Sequence, residues 1–267
     1  MLHRLNNKNP RHAKGSINDE SVPFFDAYSI ENPDLRKYQS RLETIPGWFL
    51  KIDLKFLDWL TTRNINTEGG VMELGVHTGK MFIAMNMTVE SGESYAVDIF
   101  DDKQDYNVSH SGGDCVDQEK IFRTFLQTYD NRWQGKNVNV ITEDTMMLTT
   151  DHFNGNMFKL ISIDAGHHKE HVVSDLRLCE NLVARDGVVA VDDWMSNQWP
   201  GVTEGTIEYL RSGKLVPFAS YHNKLYLCRY NSHYRWMYEM ERLKYKRNAM
   251  TLCGYDMYDI CETYQSD

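Results

Sequence analysis

The chain has no apolar run longer than a strand; Val188-Val189-Ala190-Val191 is representative. A membrane-spanning helix needs roughly 20 apolar residues, so no membrane crossing is expected. There is no C-x-x-C pair either. The five cysteines, Cys115, Cys179, Cys228, Cys253 and Cys261, are odd in number and scattered. That pattern argues against a disulfide framework or a zinc site and points to a reducing compartment, hence a cytoplasmic protein. Positive charge is in deficit: 29 basic against 38 acidic residues leave a formal net charge of −9. Phosphate attraction supplies most non-specific nucleic-acid affinity, so a DNA or RNA partner is disfavoured. The basic stretch Arg242–Arg247 reads as a solvated helix face. Met1 to Gly15 has no apolar segment resembling a secretory signal and reads as a flexible tail.

What is present is an ordinary globular composition, 41% hydrophobic and 25% charged over 267 residues. That is enough chain to bury a large single core. Residues 1–47 read as a tail and lead-in, ending at the Pro46-Gly47 turn. Leu54, Leu57 and Leu60 recur at helical spacing. From Gly69-Gly70 onward, strands and helices alternate. Strands are predicted at 71–74, 95–98, 138–142, 158–164 and 188–191. Helices are predicted at 81–87, around 121–126, and through Val172, Leu176, Cys179 and Val183 to a stop at Asp186-Gly187. Such alternation means parallel βαβ units. The runs 215–220 and 225–230 are joined by only Tyr221-His222-Asn223-Lys224, which suits an antiparallel hairpin and leaves no room for a parallel crossover. The expected fold is therefore a doubly wound, Rossmann-like α/β domain over 48–230, mostly parallel, closed by a hairpin. Residues 231–267 are expected to be a helical extension packed on it, with Trp236, Met240 and Leu243 on the inner face of a helix over 232–250.

In open parallel sheets, ligands bind beyond the carboxyl ends of the strands. Polar residues stand at every predicted strand end here. The first is the turn Glu73-Leu74-Gly75-Val76-His77-Thr78-Gly79, where glycine permits close backbone approach and a helix N-terminus follows. Residue 77 is His where a dinucleotide fingerprint needs its second glycine, and Glu73 would sit poorly beside a pyrophosphate. It suits a cationic ligand, such as the amino group of a methionine moiety. Asp98 falls about 20 residues after the turn, where such folds place an acid against ribose hydroxyls. Glu143-Asp144 ends the third strand. Asp164 ends the fourth, with His167 three residues on, and Asp192-Asp193 ends the fifth. If those last strands are neighbours, three carboxylates converge, and a hard divalent cation such as Mg²⁺ would neutralise them. The alternative is that Asp192 or Asp193 caps the following segment. His167 can accept a proton from a substrate hydroxyl.

As a set, Glu73-x-Gly75-x-x-x-Gly79, Asp98, Ile163-Asp164-x-x-His167, Val191-Asp192-Asp193-Trp194 and Trp199-Pro200-Gly201-Val202 resemble the class I S-adenosylmethionine-dependent methyltransferases. More narrowly, they are similar to the small-molecule O-methyltransferases of the macrocin type and, at greater distance, the catechol type. The resemblance covers roughly Trp48 to Arg229. It implies a cofactor pocket lined by Glu73, Gly75, His77, Thr78, Gly79, Asp98 and Asp164, with Asp144 near the adenine. It also implies Mg²⁺ on Asp164, Asp192 and Asp193. In catechol-type relatives the base is a lysine where this chain has His167. Many relatives read Asp-Gly-Asp-His where this chain reads Asp164-Ala165-Gly166-His167.

The function expected is methyl transfer from S-adenosylmethionine to a hydroxyl of a small molecule, such as a sugar or polyol. The cation would orient that hydroxyl and His167 would take its proton. The acidic segment 101–118 is expected to be a lid or a disordered loop, and Trp194 and Trp199 either wall the acceptor site or pack in the core. Two rivals stay open, a nicotinamide-dependent oxidoreductase and a non-catalytic scaffold. Homo-oligomerisation is also left open.

Overall fold

Alternating apolar side chains build the central layer. Val71, Ala96, Leu160, Val188 and Ala190 face one core, while Met72, Leu74, Val97, Ile161, Val189 and Val191 face a second. This period of two, buried on both sides, is what a covered parallel sheet requires. The computed structural model describes residues 28–260 except 65, 101–116, 130–136, 244 and 246. The N-terminal tail and most of the acidic segment 101–118 thus lie outside the described residues.

Before the sheet come α1 (Pro33–Gln39) and α2 (Lys51–Arg63). Asn32 caps α1, its side chain accepting the Asp34 and Leu35 N–H groups, with Pro33 at the first helical position. The expected apolar spacing in α2 is realised: Leu54, Phe56, Leu57, Trp59 and Leu60 are all buried. Then follow β1 (Gly70–Leu74), α3 (Lys80–Asn86), β2 (Ser94–Asp98), α4 (Gln118–Tyr129), β3 (Val138–Thr142), β4 (Phe158–Ile163), α5 (Lys169–Leu182) and β5 (Val183–Val191). The last part holds α6 (Pro200–Leu210), β6 (Leu215–Tyr221), β7 (Lys224–Arg229), α7 (His233–Glu241), β8 (Arg247–Leu252) and β9 (Tyr255–Ile260).

The nine strands form one sheet in the order β3-β2-β1-β4-β5-β7-β6-β9-β8. β3 through β5 are mutually parallel, and β7 enters antiparallel between β5 and β6. The strand order reverses direction between β1 and β4, which places the ligand crevice at their carboxyl ends. Residues of α1 to α4 and of α7 pack on one face, those of α5 and α6 on the other. Among the described residues no helix is long and apolar enough to cross a membrane.

Two expectations need correction. The helix after β4 stops at Leu182, not at Asp186-Gly187, and the chain passes directly into β5. Gly187 lies inside that strand at a register shift, Phe158 pairing with Val183 and Leu160 with Val188. A Cβ there would come within 2.8 Å of the Phe158 carbonyl. The glycine therefore serves a bulge, not a helix stop. The second correction is at the end of the chain. Trp236, Met240 and Leu243 are buried as expected, but the helix ends at Glu241, and 247–260 form the hairpin β8–β9. Cys253 (φ 51°) and Gly254 (φ 88°) are both left-handed, the conformation of a tight two-residue hairpin turn. Of the described residues of the basic stretch, Arg242 is the C-cap of α7, and Arg247 opens β8 and donates to the carbonyls of Glu241 and Leu243.

Candidate active site

The sheet ladder runs one residue past each central strand. The Gly75 N–H donates to Val97 O (2.8 Å), Asp164 N–H to Leu74 O (2.8 Å) and Asp192 N–H to Ile163 O (3.0 Å). Three backbone bonds thus align the glycine turn and two acids along the carboxyl edge, at the switch point. Gly75 has φ +86°, and a Cβ on it would lie 1.9 Å from the Asp164 carbonyl oxygen. Only glycine fits between β1 and β4 there. Gly79 (φ +84°) leads into α3 and abuts the Phe122 ring.

The other residues of the turn have distinct partners. Thr78 is buried and its hydroxyl donates to Pro46 O at 2.6 Å, while Lys80 Nζ donates to Gly47 O at 2.9 Å. These bonds pin the lead-in onto the turn. His77 adopts φ 51°, and its ring lies 5.8 Å from that of the exposed Trp48. Asp98 accepts the His77 N–H on Oδ2 (2.6 Å) and the Phe100 N–H on Oδ1 (2.8 Å). A carboxylate oxygen has a second lone pair, so ribose hydroxyls remain within its acceptor capacity. Asp144 caps the 145–147 turn, accepting the Met146 N–H at 2.9 Å.

Glu73 is 2% exposed and its Oε2 has no hydrogen-bond partner. Burial raises its pKa well above the usual carboxyl range; the Asp164 charge adds to this and Lys224 opposes it. Glu73 thus leaves an orphaned buried carboxyl oxygen near the carboxyl edge of β1.

The acids at β4 and β5 converge, in a different grouping from the one expected. Asp164, His167 and Asp193 each offer a ligand atom, all within 4.8 Å of one another. His167 Nε2 lies 3.1 Å from Asp193 Oδ2 and 3.7 Å from Asp164 Oδ1, and its ring stacks on Trp199 at 4.4 Å. Burial works against the imidazolium, but hydrogen bonds to Asp164 and Asp193 outweigh it and lift the His167 pKa to about 9. Asp164 is pushed up to about 7 by burial and by the charge of Asp192. Asp192 itself faces Lys224, whose Nζ lies 2.5 Å from Oδ2, while Oδ1 accepts the Asp193 N–H. Against burial, the Lys224 charge holds the Asp192 pKa below the usual range.

Sequence reasoning treated 221–224 only as a hairpin joint, yet this turn braces the site. His222 Nδ1 lies 2.9 Å from Asp53 Oδ1. The Asn223 carbonyl accepts the Trp194 N–H at 2.8 Å, and Lys224 is 3% exposed. One signal was available: Asp53 interrupts the apolar face of α2, and a buried acid needs a partner. Beside His167, a cleft of about 400 Å³ is lined by Lys169, Gln198, Trp199, Gly201 and Glu204, among others. Trp194 is partly buried and packs against the core on the α5–α6 face of the sheet.

A mostly parallel sheet with a glycine turn and acids at its carboxyl edge is a Rossmann-like architecture. Residues 72–194, from β1 to the turn after β5, match the family model described as a methyltransferase domain. The resemblance to S-adenosylmethionine-dependent methyltransferases is thereby borne out. Among solved structures, the O-methyltransferase NovP is 20% identical, with 68% of this chain and 83% of that one covered and a TM-score of 0.54. CalS11, a TDP-rhamnose 3′-O-methyltransferase of calicheamicin biosynthesis, is 17% identical over 77% of this chain and 98% of its own, TM-score 0.48. MycE, a mycinamycin-pathway methyltransferase in complex with Mg and SAH, is 16% identical over 75% and 56%, TM-score 0.47. No curated protein matches the chain.

Proposed function

We propose that the chain transfers a methyl group from S-adenosylmethionine to a hydroxyl of a small polar molecule, with a divalent cation at Asp164 and Asp193. The observation that carries this reading is the shared edge. The glycine turn contacts Asp164 directly, and Asp164 lies within ligand distance of His167 and Asp193. Donor and acceptor groups would therefore meet across a few ångströms.

Glu73, with its orphaned oxygen, fits the amino group of the methionine moiety. The Gly75–Gly79 turn, including His77, fits its backbone, Asp98 the ribose, and Asp144 the region of the adenine. Thr78 contributes by tying the lead-in to the turn. Two carboxylate oxygens suit Mg²⁺, which keeps waters and substrate oxygens as its other ligands. A cation so held would orient the acceptor hydroxyl and lower its pKa. His167 then accepts the hydroxyl proton. With a pKa of about 9, raised by its hydrogen bonds to Asp164 and Asp193, it is protonated at neutral pH, so its service as base requires that their hold on the proton be relieved. The cleft beside His167 has Trp199 as a flat wall and Lys169, Gln198 and Glu204 as polar ones. That lining suits a hydroxylated acceptor such as a sugar or polyol, and NovP, which shares the fold, is an O-methyltransferase.

Calorimetry with S-adenosylhomocysteine and with NAD tests the donor. Heat is expected from the first, and Asp98→Ala should weaken it by about 1.5–3 kcal/mol, the cost of hydrogen bonds to a charged group. Binding of NAD alone would overturn the reading.

A further inference from the structure

Asp192 and Asp193 are adjacent in the chain and both approach Asp164, but Asp192 is paired in addition with Lys224 and Asp193 with His167. Asp193 has a left-handed backbone (φ 55°). That turn aims its carboxylate at His167 and Asp164. Asp192 is committed on both oxygens: Oδ2 to the Lys224 ammonium and Oδ1 to the Asp193 N–H. Lys224 is itself buried, so its charge is poorly screened, and a divalent cation brought to the same carboxylate would meet like charge at close range. The lysine cannot swing away easily. It stands at the first position of β7, and the turn before it is held by His222 on Asp53 and by Asn223 on the Trp194 N–H.

We propose that Lys224 is a positioning residue that takes Asp192 out of the cation's ligand set, leaving Asp164 and Asp193 to hold the ion. This rests on the cation reading above. Asp192 then fixes the turn that presents Asp193, and Lys224 is the permanent counter-charge that allows two acids in succession at a buried strand end.

The test uses the full chain stripped of metal and titrated with Mn²⁺ as the probe, free Mn²⁺ being read by electron paramagnetic resonance. Asp193→Asn should weaken Mn²⁺ binding about 100-fold or more, while the double variant Asp192→Asn/Lys224→Met should change it by less than about 10-fold, the lower bound for loss of an outer partner. Lys224→Met alone, if it folds, frees Asp192 and should tighten binding. The double variant removes both charges together, so it does not leave an unpaired buried ion and keeps the test available if the single one misfolds. A double variant that loses Mn²⁺ as severely as Asp193→Asn overturns the assignment of Lys224 and Asp192 while leaving the cation reading intact. A wild-type chain that binds no Mn²⁺ overturns both.

Discussion

Asp175, on the buried face of α5, offers a measurement of how this fold handles a carboxyl group in its interior. It is fully buried. Burial raises its pKa from 3.8 to about 7; the Thr145 hydroxyl opposes the rise and the charge of Asp144 adds to it. Between those two values the unfolded chain has lost the proton and the folded chain retains it, so stability falls as pH rises. The contribution is complete below pH 3.8 and lost as pH passes through about 7. A shift of about 3 units at 1.36 kcal/mol each corresponds to about 4 kcal/mol. Asp175→Asn keeps the shape and cannot ionise. In urea denaturation from pH 4 to pH 8, the stability of the Asn variant relative to wild type should therefore rise by about 4 kcal/mol, an order-of-magnitude figure. Taking the difference cancels every other titrating group. A difference that stays constant across that range would show that Asp175 ionises as an ordinary carboxyl, and the reasoning from burial would fail.

Two further outcomes are expected. Gly75→Ala puts a methyl group 1.9 Å from the Asp164 carbonyl oxygen at a positive φ; thermal melts should show it destabilised by about 3 kcal/mol or more, and S-adenosylhomocysteine binding should be lost with the turn geometry. For His167, the raised pKa (about 9 against 6.5) makes its contribution to stability complete below pH 6.5 and absent once pH has risen through about 9. In protein treated with a chelator, His167→Gln should therefore cost about 3 kcal/mol at pH 6 and little at pH 10. An unchanged cost at both would mean that the imidazole is not held by the two acids.

The parallel part of the fold was legible because its signals are local. Apolar runs such as 158–163 and 188–191, spaced by amphipathic helices, leave few other architectures. The strand-end acids were legible for the same reason. Three features were not. Gly187 reads as a helix stop in the sequence, since a bulge and a stop use the same residue and only the register of β4 against β5 tells them apart. The β8 strand is largely exposed and carries no strong alternation, so its helical neighbour extended over it by periodicity. The division of labour between Asp192 and Asp193 depends on Lys224, a lysine 32 positions away from Asp192, and no spacing rule relates them.

The bond between His222 and Asp53 spans 169 positions of chain. An early helix and a late hairpin therefore steady the same corner, and neither can do so alone. Loop closure over such a distance comes late, after nearer contacts have formed. A nascent polypeptide that has made β1 through β5 would already possess its glycine turn and its acids, but not the brace that sets their spacing. Competence for chemistry should thus arise abruptly, when the hairpin docks, and not by degrees as strands are added.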